Sequence, residues 1–129
     1  MNQEIAFEEL RVIVDDADPA LLEVELSGRS NMRRPGEFLR PWFDGLIARA
    51  AAGARRIEIH FEKLEHFNSS TIAVLVQVMN DAAHAHVPLV LFYDGTLRWQ
   101  VMSFEAIGRA ISPFADTGQA TVTIRPVNG

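Results

Sequence analysis

Apolar and polar residues alternate in three short segments of the chain, a pattern typical of a strand with one buried face. These segments are LLEVELSG, RIEIHFE and TVTIR. Two further segments, LRVIV and PLVLFYD, predict a first strand and a more central strand that is apolar on both faces. The sequence therefore predicts five strands, most of which keep one polar face.

Three other segments have apolar residues at helical spacing. The first is PGEFLRPWFDGLIARAAAG, predicted to start near Pro35 and to end at Gly53 as a capping glycine. Its apolar stripe includes Phe38, and Pro41 inside it predicts a kink or the true start of the helix. The second helix is SSTIAVLVQVMNDAAHAH, and the third runs from about Arg98 to Ile111.

The predicted order of elements is β-β-α-β-α-β-α-β. Strand–helix–strand units favour parallel pairing with right-handed crossovers, which place successive helices on the same side of a sheet. We therefore expect an α/β fold with a mixed sheet of about five strands and helices mainly on one face. The length of 129 residues suits a single domain over residues 1–129.

Composition and charge narrow the class of function. The chain is 48% hydrophobic, has a formal net charge of −5 and contains no cysteine. An acidic balance argues against nucleic-acid binding, and the lack of cysteine fits a reducing cytoplasm. The opening MNQEIAFEEL has no signal-peptide pattern, and no apolar run is long enough for a membrane helix. We expect a cytoplasmic protein without membrane insertion.

Residues for catalysis or metal binding do not cluster in the sequence. His84 and His86 are two apart on a predicted helix, so they point in different directions. His60 lies on the polar face of a predicted strand. No phosphate-binding glycine loop or nucleophile elbow is present. We expect no enzyme activity, no catalytic residue, no cofactor and no metal site.

Four small polar residues, Asn68, Ser69, Ser70 and Thr71, stand between a predicted strand and a long apolar run. Asn, Ser and Thr are preferred N-cap residues, because their side-chain oxygens accept the free N–H groups of the first helical turn. The same amides and the helix dipole would also stabilise a phosphate. A structural cap and a phosphorylated hydroxyl are both open from these residues alone.

The stretch IEIHFEKLEHFNSSTIAVLVQVM resembles the STAS domains of bacterial anti-sigma-factor antagonists. Those domains have a strand, a turn containing Asp-Ser-Ser-Gly, and then an apolar helix. In this comparison Asn68 stands for the Asp, Ser69 for the phosphorylated Ser, Ser70 for the second Ser and Thr71 for the Gly. The resemblance extends from about residue 10 to residue 124.

The resemblance implies a small regulatory protein that binds an anti-sigma factor which is also a serine kinase. Phosphorylation of Ser69 would break the complex, and a protein phosphatase would restore it. The expected partner-binding residues are Asn68, Ser69, Ser70 and Thr71, with Met32 and Arg33 from a basic loop that is otherwise explained as solvated. Asn68 and Thr71 depart from the family pattern, and either departure fits a divergent kinase pair or a domain that binds without being phosphorylated.

Two alternatives remain open at this stage. One is a STAS scaffold subunit that docks on a transporter or signalling complex without phosphorylation. The other is a STAS module that binds a nucleotide through the 28–36 loop and the serine-rich helix start. Glu58, His60 and Glu62 make one sheet face polar, which leaves the helical surface and the edge strands for a possible weak homodimer.

Overall fold

A computed structural model describes residues 2–115 and 122–128 of the chain. Its order of elements is β-β-β-α-β-β-α-β-α-β. The strands and helices are β1 (Asn2–Phe7), β2 (Leu10–Asp15), β3 (Leu21–Ser30), α1 (Gly36–Gly53), β4 (Arg56–His60), β5 (Leu64–Phe67), α2 (Ser69–His84), β6 (Leu89–Asp94), α3 (Arg98–Ala115) and β7 (Val122–Val127).

All seven strands belong to one mixed sheet with the spatial order β1-β2-β3-β4-β6-β7, and β5 pairs with β3 outside this path. The first three strands form an antiparallel meander, whereas β4, β6 and β7 continue the sheet in parallel. The predicted mixed α/β fold is confirmed. The three parallel neighbours follow from crossovers through α1, α2 and α3, whereas short loops join the antiparallel strands.

One hydrophobic core lies between the sheet and the helices. Alternate residues of the strands enter it, including Val12, Val24, Ile59 and Leu91, all of which have side chains at most 1% exposed. Their neighbours on each strand lie on the opposite, more exposed face. This alternation is the physical basis of the predicted arrangement, with helices mainly on one face.

In the part of the chain that the structure describes, the count of about five strands is corrected to seven. β1 was missed because every residue from Asn2 to Ala6 is exposed, so the segment lacks a buried set to mark its period. β5 was missed because its four residues, LEHF, are too few to show an alternation. Both strands pair with neighbours whose own pattern was recognised.

Helix α1 begins and ends close to the predicted positions and continues through Pro41. The predicted capping role of Gly53 is wrong by one residue. Ala54 has the left-handed backbone at φ 53°, and its N–H bonds to the carbonyls of Ala50 and Ala51. Among the helices in the described part of the chain, none combines the length and apolar character needed to cross a membrane.

Candidate functional site

The candidate site lies where β3 and β5 end side by side. β3 has ten residues, and its first half pairs with β4 whereas its last three residues pair with β5. The register shifts between Gly28 and Arg29, where Gly28 has φ +83°. A Cβ on Gly28 would lie 2.2 Å from the carbonyl oxygen of Glu9, so glycine permits this close approach of two backbones.

Asn68 connects the start of α2 to the end of β3. Its side-chain oxygen accepts the backbone N–H of Thr71 at 2.9 Å, which is the bond of a helix N-cap. Its side-chain nitrogen donates to the carbonyl of Met32 at 3.0 Å, and its backbone N–H donates to the carbonyl of Ser30 at 3.1 Å. An aspartate cannot make the bond to Met32, because a carboxylate has no donor.

Thr71 and Ser30 extend this arrangement into the core. The Thr71 hydroxyl donates to the side-chain oxygen of Asn68 at 2.7 Å, and lies 2.7 Å from the Ser30 hydroxyl. Because the single proton of Thr71 is committed to Asn68, the Ser30 hydroxyl must be the donor in the second bond. Both side chains are at most 4% exposed, so these hydroxyls serve the fold.

Ser69 and Ser70 occupy the first two positions of α2, and both are exposed. Within the described residues, neither hydroxyl has a hydrogen-bond partner. Their backbone N–H groups have no acceptor in the preceding turn of the helix, and the first turn carries no acidic residue. The site therefore offers two accessible hydroxyls in a locally positive field.

Phe67, the residue before Asn68, anchors the turn to the hydrophobic core. Its side chain is 5% exposed and its ring contacts Phe61, Phe104 and Trp99, with ring centroids 6.4, 6.0 and 5.5 Å away. These edge-on contacts tie the end of β5 to α3. The residue next to Asn68 is thereby held by the core, which fixes the backbone that carries Ser69.

Gln100 of α3 holds the segment between β4 and β5. Its side chain is fully buried, and its amide nitrogen donates to the carbonyls of Phe61 and Leu64 at 2.8 and 3.1 Å. Its amide oxygen accepts the backbone N–H of Asp94 at 2.7 Å. Sequence reasoning missed Gln100, since a lone polar residue in an amphipathic helix gives no sign that it points inward.

Asp94 starts the turn that leads into α3. One of its carboxylate oxygens accepts the hydroxyl and the backbone N–H of Thr96, at 2.6 and 2.8 Å. The bond from the Thr96 hydroxyl, followed by the bond from its N–H, lowers the pKa of Asp94 below its ordinary value. The turn therefore favours the ionised carboxylate.

The structure brings the predicted site residues together but gives them different positions. Met32 is 2% exposed, so its side chain belongs to the core and its carbonyl holds Asn68. Arg33 is exposed on the same loop, one residue further along. Asn68 is partly buried and Thr71 is buried, so Ser69, Ser70 and Arg33 are the members of the set that a partner can reach directly.

A second polar cluster lies on the open face of the sheet. The potential metal-binding atoms of Glu23, Glu58 and His60 lie within 4.8 Å of one another. Glu58 is paired with Arg56 at 2.9 Å, and His60 Nδ1 lies 3.1 Å from Glu62. His60 Nε2 also lies 4.0 Å from Glu23, so each of the three side chains already has a charged partner on this face.

No family model and no curated protein sequence matches this chain. Solved structures do. A chain of the complex of the diguanylate cyclase SiaD with its activator SiaC from Pseudomonas aeruginosa is similar at a TM-score of 0.60 and 17% identity, over 95% of this chain and 99% of that one. SiaC of Pseudomonas aeruginosa itself gives a TM-score of 0.59 and 16% identity, over 98% and 99%.

An anti-sigma factor antagonist from Mycobacterium paratuberculosis is also similar. Its TM-score is 0.54 at 14% identity, over 87% of this chain and 100% of that one. These comparisons confirm the STAS-like fold that the sequence resemblance implied. At such low identity the likeness concerns the fold.

Proposed function

We propose that this protein is a regulatory switch that binds a partner protein through the surface around the start of α2, and that Ser69 is its phosphorylated residue. The partner is an anti-sigma factor that acts as a serine kinase, and a protein phosphatase reverses the modification. The same fold in an anti-sigma factor antagonist supports this assignment.

The observation that carries the proposal is that two of the four polar side chains at the turn are hydrogen-bonded and the other two are exposed. The side chains of Asn68 and Thr71 form the hydrogen bonds that hold the turn. The hydroxyls of Ser69 and Ser70 are exposed and form no hydrogen bond within the described residues. A cap needs only Asn68. The two remaining hydroxyls are surplus to the fold, and Ser69 corresponds to the phosphorylated position of the family that the sequence resembles.

Phosphate at Ser69 would change the surface without disturbing the core. The added charge of about −1.5 to −2 lies at a helix N-terminus, where free amides and the dipole stabilise it. Arg33 is on the adjoining loop and offers a cation nearby. A partner that packs closely against this turn would have to accommodate the charge, so phosphorylation weakens the complex.

The likeness to SiaC favours a second candidate partner. SiaC is named as the activator of a diguanylate cyclase, and this chain matches it over nearly its whole length. In this version the unphosphorylated protein binds and activates a signalling enzyme of that kind. The binding surface and the role of Ser69 are the same in both versions.

The test is intact mass followed by peptide mapping of the protein isolated from its native cells, for wild type and for Ser69→Ala, Ser70→Ala and Thr71→Val. We expect a fraction of the wild type to carry one phosphate on the peptide with residues 68–71. Ser69→Ala should lose it, whereas the Ser70 and Thr71 variants should keep it. Proteins that co-purify identify the anti-sigma factor or the cyclase.

Binding supplies the second arm of the test. Ser69→Asp should weaken the complex with the co-purified partner by about tenfold or more, while Ser70→Asp, one position along the same turn, serves as the charge control. Unmodified Ser69 under all growth conditions contradicts the switch. Equal weakening by the two aspartates contradicts the assignment to Ser69.

A further inference from the structure

Among residues 2–115 and 122–128, no strand pairs with the outer edge of β1, which lies at the end of the sheet opposite β7. It has six residues, NQEIAF, with no proline and one charged side chain, Glu4. β7 at the other edge contains Arg125 and Pro126, features that discourage pairing with a further strand. β1 has no proline to interrupt its backbone N–H groups, so its edge can accept another strand.

The β1 edge also adjoins an apolar groove on the helical face. The groove has a volume of about 470 Å³ between β1 and α1, and Ile5, Val14, Trp42 and Leu46 are among the residues that line it. Ile5 is 38% exposed and Phe38, beside Phe7 at a ring distance of 6.0 Å, is 46% exposed. Apolar surface therefore continues to the strand edge.

Along β1, the N–H and C=O groups of successive residues point alternately toward β2 and toward the open edge. Phe7 pairs with Leu10 across a two-residue turn, and Ile5 pairs with Val12. In a tight antiparallel hairpin the pair next to the turn exchanges both bonds, and every second pair repeats this. Phe7 and Ile5 therefore bond to β2, while the N–H and C=O groups of Glu4 and Ala6 face outward.

We propose that this edge binds a second copy of the chain, with the two β1 strands antiparallel and Ile5 facing Ile5 of the second copy on a twofold axis. In this register Glu4 of one copy exchanges two backbone hydrogen bonds with Ala6 of the other. The twofold axis repeats this with Ala6 of the first copy and Glu4 of the second. The outward-facing groups derived above are the ones this register uses.

Charge selects this register over its neighbours. Centring the pair on Glu4 places two glutamates directly opposite each other. Centring it on Ala6 places Glu4 opposite Glu8 twice. Only the Ile5-centred register sets Glu4 against an alanine, and it also joins the two exposed isoleucines. A six-residue contact is small, so the dimer is reversible and depends on concentration.

Sedimentation velocity over a wide concentration range tests the proposal, with a matched charge pair at residue 6. Ala6→Lys places a lysine opposite Glu4 of the second copy on both sides of the axis, and should tighten the dimer by about two- to thirtyfold. Ala6→Glu should weaken it by a similar factor. Adding Glu4→Lys to Ala6→Glu should restore it.

The two residue-6 variants should affect the stability of the monomer in the opposite order to their effect on the dimer. Measuring both properties therefore separates folding from association. Ala6 pairs with Arg11 of its own chain. Arg11 already forms an ion pair with Glu4. A glutamate at residue 6 would add a second carboxylate opposite Arg11, whereas a lysine would place a like charge there. Thermal unfolding of both variants should show Ala6→Glu as the more stable monomer, although it is the weaker dimer.

Ile5→Lys should abolish the dimer, because two lysines would meet on the axis. Leu97→Lys is its control. Leu97 is 36% exposed, a fraction similar to that of Ile5, but it lies on another part of the surface. A wild type that is monomeric at every concentration overturns the proposal and leaves the edge to a strand of another protein. A dimer that responds equally to both residue-6 variants, or equally to Ile5→Lys and Leu97→Lys, overturns it too.

Discussion

The turn at the start of α2 and the outer strand β1 differ in how completely they are partnered. At the turn, hydrogen bonds join the partly buried Asn68 to the buried Thr71, and Thr71 to the buried Ser30. β1 is exposed on both faces from Asn2 to Ala6 and bonds to a single neighbouring strand. The conformation of the turn is fixed by hydrogen bonds within the chain. The outer edge of β1 is left available for a strand from another molecule.

This difference shows how a small domain separates two kinds of surface. The turn presents Ser69 and Ser70 from a backbone that many contacts hold in place, which suits recognition of a single modified atom. The edge presents backbone groups and apolar side chains with little to fix their surroundings, which suits reversible pairing. Matched residues in the two regions make the contrast measurable.

The largest contrast is expected between two glutamines. Gln100→Leu keeps the volume but removes the partners of three backbone groups, and should lower the free energy of unfolding by about 3 kcal/mol or more. Gln3→Ala in β1 should change it by less than about 0.5 kcal/mol. Urea denaturation measures both, and a small loss for Gln100→Leu would contradict the role given to this residue.

Two glycines provide the next contrast, with opposite signs. Gly28→Ala should lower the free energy of unfolding by about 2 to 3 kcal/mol, because a Cβ would meet the Glu9 carbonyl at a positive φ. Gly45→Ala in the groove meets nothing within 4 Å and should raise it by about 0.5 to 1 kcal/mol through helix propensity. Denaturation midpoints that move in the same direction would refute this contrast.

Two asparagines give a smaller effect. Asn68→Ala should cost about 1 to 2 kcal/mol through the lost cap and the lost bond to Met32, while Asn2→Ala should cost almost nothing. Asn68→Asp should fall between them, at about 1 kcal/mol, because the cap survives and the donor does not. Thermal unfolding distinguishes the three, and an Asp variant equal to wild type would show that the Met32 bond contributes little.

The smallest effect concerns Asp94 and pH. Because its folded pKa lies below the ordinary value, Asp94 contributes stability above the unfolded pKa and loses it as the pH falls through the folded pKa. Thr96→Val removes the main cause of this shift. The difference in melting temperature between wild type and this variant should therefore be present near pH 6 and shrink steadily in acid. A constant difference would assign the effect to packing.

Much of the fold was predictable because its strands and helices have strong periods. The five predicted strands correspond to β2, β3, β4, β6 and β7, and α1 was placed from its apolar stripe and its proline and glycine boundaries. β1 was not predictable from burial, since none of its first five residues is buried. Ala54 in place of Gly53 as the cap could not be foreseen, because an alanine with positive φ is uncommon.

The site was predictable in outline only. The run from Asn68 to Thr71 marked a helix start, and its small polar residues raised the question of a free hydroxyl. Which side chains point inward depends on Ser30 and Met32, which are about forty residues away and have no local signal in the sequence. The sequence predicts a solvated basic loop around Met32, yet the Met32 side chain lies in the core.

The amide of Asn68 has one consequence for the environment in which the protein works. An amide neither gains nor loses a proton over the acidity range of a cell, and the hydroxyls of Thr71 and Ser30 behave the same way. The framework beneath Ser69 therefore has no protonation state of its own. These hydrogen bonds therefore persist when the surroundings acidify, and the position of the Ser69 hydroxyl does not depend on pH through them.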